Sequence, residues 1–182
     1  MENDREHDKR KVYKPHKEFS LELLAALPDD ALEHVILDYI FEKFTNARNA
    51  EMRLEIILKM SLGFQMIWFT YELLVSVFHG GFNEFFYNGS SEVTSKTLQY
   101  LEMIGATEYY EILGKAIAVH QEEMKNPVMQ ELYAQQSLHG KTESYKMSSL
   151  REFDRAFDNL GMRLFELKIP YIRSNPELFV GS

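Results

Sequence analysis

The sequence predicts an all-α protein folded as a single domain of about eight helices, and three observations predict it. Leucines, aromatics and methionines recur three and four residues apart through nearly the whole chain, the spacing that gathers apolar side chains on one face of a helix. No segment alternates apolar and polar residues with the β-branched enrichment of a strand. The 182 residues suit one hydrophobic core without staples, and the chain has no cysteine to form a disulfide.

Residues 1–17 mix both charges around Pro15 with no apolar period, and they read as a flexible charged arm ahead of a helical domain over 18–182. Ser20 is placed to cap a short helix through Leu27. Pro28-Asp29-Asp30 then opens a second helix to about Phe44, with Asp30 and Glu33 in capping-box spacing. Leu32, Val35, Ile36, Tyr39, Ile40 and Phe44 form its core stripe, while Asp30, His34, Asp38 and Glu42 line another face. A helix from Ala50 to Met60 and the apolar segment 64–78 follow, with a break expected at Gly63. The segments 92–104 and 108–124 read as an antiparallel pair joined by Gly105-Ala106-Thr107, with Thr107 as N-cap. Asn126-Pro127 starts a short helix to Leu138, and residues 139–148 read as the longest loop. Ser149 and Glu152 are spaced to cap a last long helix to Leu167, after which Pro170 and Pro176 make the end irregular.

Between the apolar helix and the next lies VFHGGFNEFFYNGSS, residues 77–91. Gly80-Gly81 stands where a helix must stop, and a glycine there supplies the left-handed conformation that stops it. Phe82, Phe85 and Phe86 then share one side of a further turn, Asn88-Gly89 ends it, and Ser90 or Ser91 caps the next helix. The stretch therefore reads as a helix-corner-helix joint. A catalytic alternative uses His79 as a base oriented by Glu84 or Glu72, with a glycine amide stabilising an oxyanion, but it lacks a nucleophile motif or a second histidine at fixed spacing.

Charge narrows the function classes. Residues 1–17 hold six Lys and Arg against four Asp and Glu, leaving 14 bases and 24 acids in the remainder. From Glu18 to Glu42 seven acids occur with no Lys or Arg. Such a body repels nucleic acid and attracts basic partners. The densely charged first 18 residues contain no secretory apolar run, and the apolar segment 64–78 is too short to span a bilayer and carries Gln65 and Glu72. A cytoplasmic protein without a membrane segment is expected. His34 with Asp38, and His120 with Glu123, could each give two metal ligands, but two ligands are not a site. No phosphate-binding glycine loop accompanies Gly80-Gly81. No cofactor and no metal is expected, and catalysis is not the favoured reading.

The run 72–120, with Gly80, Gly81, Phe82, Phe85, Phe86, Asn88, Ile104, Gly105 and Ala106, resembles the DNA mimic protein family of bacteria. It departs from that family's pattern at His79, where asparagine is usual, and at Glu84, where glutamine is common. The resemblance implies a mostly helical, acidic homodimer, whose naming member imitates DNA charge to occupy a DNA-binding protein. Asp29, Asp30, Glu33, Asp38, Glu42, Glu102, Glu108 and Glu111 are the candidate partner-binding carboxylates. Residues four apart on a helix lie about 6 Å apart along its axis, so Asp30, Asp38 and Glu42 can present a phosphate-like row. The alternatives are a solvated acidic face, an immunity-type or scaffold protein whose partner does not bind DNA, and a small-molecule or hydrolytic pocket near His79.

Overall fold

The computed structural model describes residues 19–161 and 163–180. The charged arm expected over residues 1–17 lies outside them. Among the described residues the chain forms ten α-helices and no strand. They are α1 (Leu21–Ala26), α2 (Asp29–Lys43), α3 (Ala50–Lys59), α4 (Leu62–Asn88), α5 (Ser91–Met103), α6 (Thr107–Glu123), α7 (Pro127–Ala134), α8 (Leu138–Met147), α9 (Arg151–Leu160) and α10 (Arg163–Ser174). Short 3-10 turns occupy Phe44–Asn46 and Pro176–Phe179. No helix among them is long and apolar enough to cross a membrane.

The central element is α4, which packs against α2, α3, α5, α8, α9 and the final 3-10 turn. Its residues Phe64, Met66, Ile67, Phe69 and Leu73 have no exposed surface. The expected α2 stripe of Leu32, Val35, Ile36, Tyr39, Ile40 and Phe44 is buried against it. Ser20 caps α1 by accepting from the Leu23 amide, and Ser90 caps α5 by accepting from Val93.

Other boundaries differ from the sequence reading, each for a local reason. The break before α4 is at Met60 and Ser61, whose extended backbone separates it from α3. Gly63 is inside α4, where a Cβ would lie 2.7 Å from the Phe179 ring. Asp30 caps nothing, because α2 starts at Asp29 with Pro28 before it. Thr107 is the first residue of α6, with Ala106 at the cap position and no side-chain cap bond. The loop expected over 139–148 is the helix α8, capped by Ser137 through the Gly140 amide. Its buried face consists of Gly140 and Ser144, so no apolar period announces it. The Ser149–Glu152 capping box does not form. Instead, Glu123 accepts from Ser149 N and from the Ser148 hydroxyl, and Ser148 Oγ accepts from Leu150 N. The last long helix divides at Gly161 (φ 59°), and α10 continues through Pro170 because Leu164, Lys168, Ile169 and Ile172 are buried around it.

Buried tyrosines tie these helices together. Tyr100, with no exposed surface, donates to Gln65 Oε1 at 2.7 Å, and Gln65 Nε2 donates to the Met60 carbonyl at 2.7 Å. Burial pushes the Tyr100 hydroxyl up to about 12 from 10.0 and raises Tyr109 and Tyr133 as well. In the unfolded chain these phenols ionise near pH 10. Their contribution is therefore whole below about pH 10 and is lost as pH rises through the higher folded values. Thermal melts from about pH 9 to pH 12 should show a steadily falling Tm, and Tyr100→Phe should flatten the fall by on the order of 2 kcal/mol. Parallel wild-type and variant curves would contradict this assignment.

Candidate functional site

The Gly80-Gly81 corner is built from both sides. Gly80 (φ −157°, ψ 23°) and Gly81 (φ 71°, ψ −173°) leave the helical region inside α4. The Gly81 conformation belongs to a region essentially reserved for glycine. The Asp154 carboxylate of α9 fills the space where a side chain would go, and a Cβ on Gly81 would lie 2.6 Å from Asp154 Cγ. Asp154 Oδ1 accepts from the Phe82 amide at 2.7 Å, so a side chain 72 positions away caps the second half of the helix. Burial pushes the Asp154 carboxyl up from the ordinary carboxylate range, and the Phe82 N–H acts in the opposite direction. Beyond the bend Phe82, Phe85 and Phe86 are at most 6 % exposed. Asn83 is buried with them, donating to Ser144 Oγ at 3.1 Å and accepting from the Tyr133 hydroxyl at 2.9 Å. Sequence reading recognised the bend but not Asp154, because nothing local links residues 81 and 154.

The side chains of the hydrolytic alternative have separate partners. His79 is exposed, with Nδ1 2.9 Å from the Val75 carbonyl of its own helix. Glu84 pairs with Lys141 and accepts from Asn88 at 2.6 Å. Glu72 instead lines a cleft with Arg53 and Trp68. Beside His79, an apolar groove of about 410 Å³ runs past His34, Leu37, Leu74, Phe78 and Phe165. His120, which with Glu123 offers two metal ligands but no site, stacks on Phe86 with ring centroids 4.3 Å apart. Burial lowers the His120 pKa, and Glu123 acts against that. Among the described residues no three His, Asp or Glu side chains are grouped to hold a metal ion.

The candidate carboxylates fall into two sets. Glu33 is not on a surface: it is 4 % exposed and ion-paired with Lys168 of α10, which has no exposed surface. Its position follows from spacing, since Glu33 shares the inward side of α2 with Ile36 and Ile40. Asp29 accepts from Arg173 at 2.7 Å, and that guanidinium also donates to the Leu24 and Leu27 carbonyls, fastening the α1–α2 corner to α10. Glu108 pairs with Arg163 at 3.2 Å across the α6–α10 approach. Asp30, Glu42, Glu102 and Glu111 are exposed and have no ion-pair partner among the described residues. Asp38 is half-exposed, with only His34 beside it at 3.6 Å. Because the opposite face of α2 is held in the core, Asp30, His34, Asp38 and Glu42 remain as an outward row. The first cation of that helix is Lys43, in its last turn and over the Tyr39 ring.

The model of the DMP19-like protein family matches residues 58–175, well over half of the chain. The chain belongs to the DMP19-like family. This agrees at family level with the resemblance of residues 72–120. No curated protein and no solved structure matches the chain. The DMP19-like match covers the corner, Asp154 and the acids Glu102, Glu108 and Glu111. It begins after α2, so the row of Asp30, Asp38 and Glu42 rests on this chain's own sequence and surface. Glu33 and its partner Lys168 fall on either side of that boundary, which makes α2 an integral wall of the DMP19-like body.

Proposed function

We propose that this protein is a non-catalytic, cytoplasmic protein-binding module. Its exposed carboxylates occupy the basic surface of a DNA-binding protein in place of DNA, with the chain acting as the homodimer implied by the family resemblance. The observation that carries this reading is the outward row on α2, where Asp30, Asp38 and Glu42 stand on a rigid helix with no compensating Lys or Arg until Lys43. Asp30 to Asp38 spans about 12 Å along the axis and Asp38 to Glu42 about 6 Å. Glu102, beside the α5–α6 turn, and Glu111, on α6, add unpaired negative charge elsewhere on the surface. Family membership supports a protein partner. The electrostatic reading also excludes direct nucleic-acid binding by the body, since phosphate would be repelled.

Three rim charges steer association more than they hold a complex, and their attraction is screened as the Debye length falls from about 10 Å at 0.1 M salt toward about 3 Å at 1 M. The test compares the wild-type chain with the triple variant Asp30→Asn, Asp38→Asn, Glu42→Gln. Each is immobilised, challenged with lysate at low salt, eluted by a salt gradient and analysed by mass spectrometry. The expected result is a DNA-binding protein that elutes early from wild type and binds the variant about tenfold more weakly, or about 1.4 kcal/mol. Equal retention by both chains, with unchanged circular dichroism, would overturn the assignment to this row.

A further inference from the structure

Glu72 is a carboxylate in the most apolar helix of the protein and makes no hydrogen bond or ion pair among the described residues. It faces a cleft of about 100 Å³ between α3, α4 and the start of α5. Arg53 of α3 lines the same cleft without reaching ion-pair distance of Glu72 or of any other described acid. Ser76 and Asn88 supply further polar atoms, and Trp68 and Phe85 supply apolar walls. The corner creates this arrangement. In a straight helix Glu72 and Asn88 would be about 24 Å apart, yet both border one small cavity because α4 bends at Gly80-Gly81.

Burial pushes the Glu72 carboxyl up while the Arg53 charge acts against that, and a carboxyl and a guanidinium lining one cleft favour one ligand class. A simple cation would meet Glu72 but be repelled by Arg53. A simple anion would suffer the reverse. A molecule carrying both charges on two groups of one carbon satisfies each of them. The volume admits only a handful of heavy atoms, with polar ends set against a mostly apolar wall. We propose that the cleft binds a small zwitterion, a free α-amino acid of the size of glycine or alanine, with its ammonium on Glu72 and its carboxylate on Arg53. Asn88 and Ser76 complete its hydrogen bonds, and the α-carbon side rests on Trp68 and Phe85. This site is independent of the acidic row on α2, and it is assayed in the purified chain with no protein partner present.

Trp68 is the only tryptophan, so its fluorescence reports on the cleft. The purified protein is titrated with glycine and L-alanine, and in parallel with ethylamine and propionate, which carry one charge each. Calorimetry provides a second readout that does not depend on Trp68. The expected result is saturable binding of an amino acid at least tenfold tighter than of ethylamine or propionate. Arg53 is exposed, so Arg53→Gln leaves the fold intact and should weaken the amino acid about tenfold while leaving ethylamine unchanged or tighter. Glu72→Gln should weaken the amino acid to a similar degree and leave propionate unchanged or tighter. Absence of saturable amino-acid binding, equal binding of a singly charged probe, or indifference to Arg53→Gln overturns the proposal.

Discussion

Gly81→Ala is expected to lower the free energy of unfolding by about 3 kcal/mol or more, among the largest effects of any single methyl group in this protein. Two costs add. Alanine in the backbone conformation of Gly81 (φ 71°, ψ −173°) is strained by about 1–3 kcal/mol. Its Cβ would also overlap the Asp154 carboxylate, displacing the acceptor of the Phe82 amide. Loss of that bond leaves a donor unsatisfied at the start of a helical segment, worth a further 1–2 kcal/mol or so. Gly80→Ala is the control. Its φ (−157°) lies outside the left-handed region, but a Cβ there would lie 2.9 Å from Glu84 Cβ, an atom the backbone fixes, so a smaller cost of about 1–2 kcal/mol is expected. Urea denaturation of both variants, and of Gly81→Ala with Asp154→Ala, checks the account. The clash with Asp154 is absent in the double variant, so the two substitutions should cost less together than their separate sum. Equal effects at Gly80 and Gly81 would contradict the assignment.

The second large effect concerns Lys168 and Glu33. Removing one partner of a buried pair strands the other charge, and Lys168→Met is expected to cost about 3–5 kcal/mol. Burial already pulls the Lys168 ammonium pKa down, opposed by Glu33, and Glu33 Oε2 is buried without a hydrogen-bond partner. The ion pair is therefore well short of full satisfaction. Replacing both members, with Glu33→Leu and Lys168→Met, should restore most of the lost stability, because the desolvation cost of both charges disappears. Chemical denaturation of the two single variants and the double variant gives the coupling directly. A double variant as unstable as the sum of the singles would show that the pair is not what holds α2 to α10.

Whatever a helix face alone determines was legible in the sequence. The buried stripe of α2 and the row opposite it follow from spacings of three and four, and the bend follows from two glycines in an apolar helix. What was not legible depends on distant partners. The helix α8 reads as a loop because its inward face is Gly140 and Ser144, which pack by being small and by accepting the Asn83 amide, not by apolar area. Glu33 reads as a capping residue until Lys168, 135 positions later, is seen beside it. Arg173, 144 positions later, pairs with Asp29, which stays exposed but no longer carries an unpaired charge. The cleft over Glu72 could not be foreseen, since α3 and the start of α5 wall it together with two halves of α4 that only the bend brings together. Of the eight candidate carboxylates, those whose position depended only on α2's outer face stayed exposed, whereas three others were claimed by cations from α10.

The most direct test of the protein-binding reading is a competition measurement on the DNA-binding protein captured by the wild-type chain. Its labelled DNA site is followed by fluorescence polarisation as the chain is added at low salt and again at raised salt. The account predicts that the wild-type chain displaces the DNA, that displacement weakens steeply with salt, and that the variant Asp30→Asn, Asp38→Asn, Glu42→Gln displaces it only at about tenfold higher concentration. A ternary complex in which DNA and this protein are bound together, or equal displacement by wild type and variant, would contradict it.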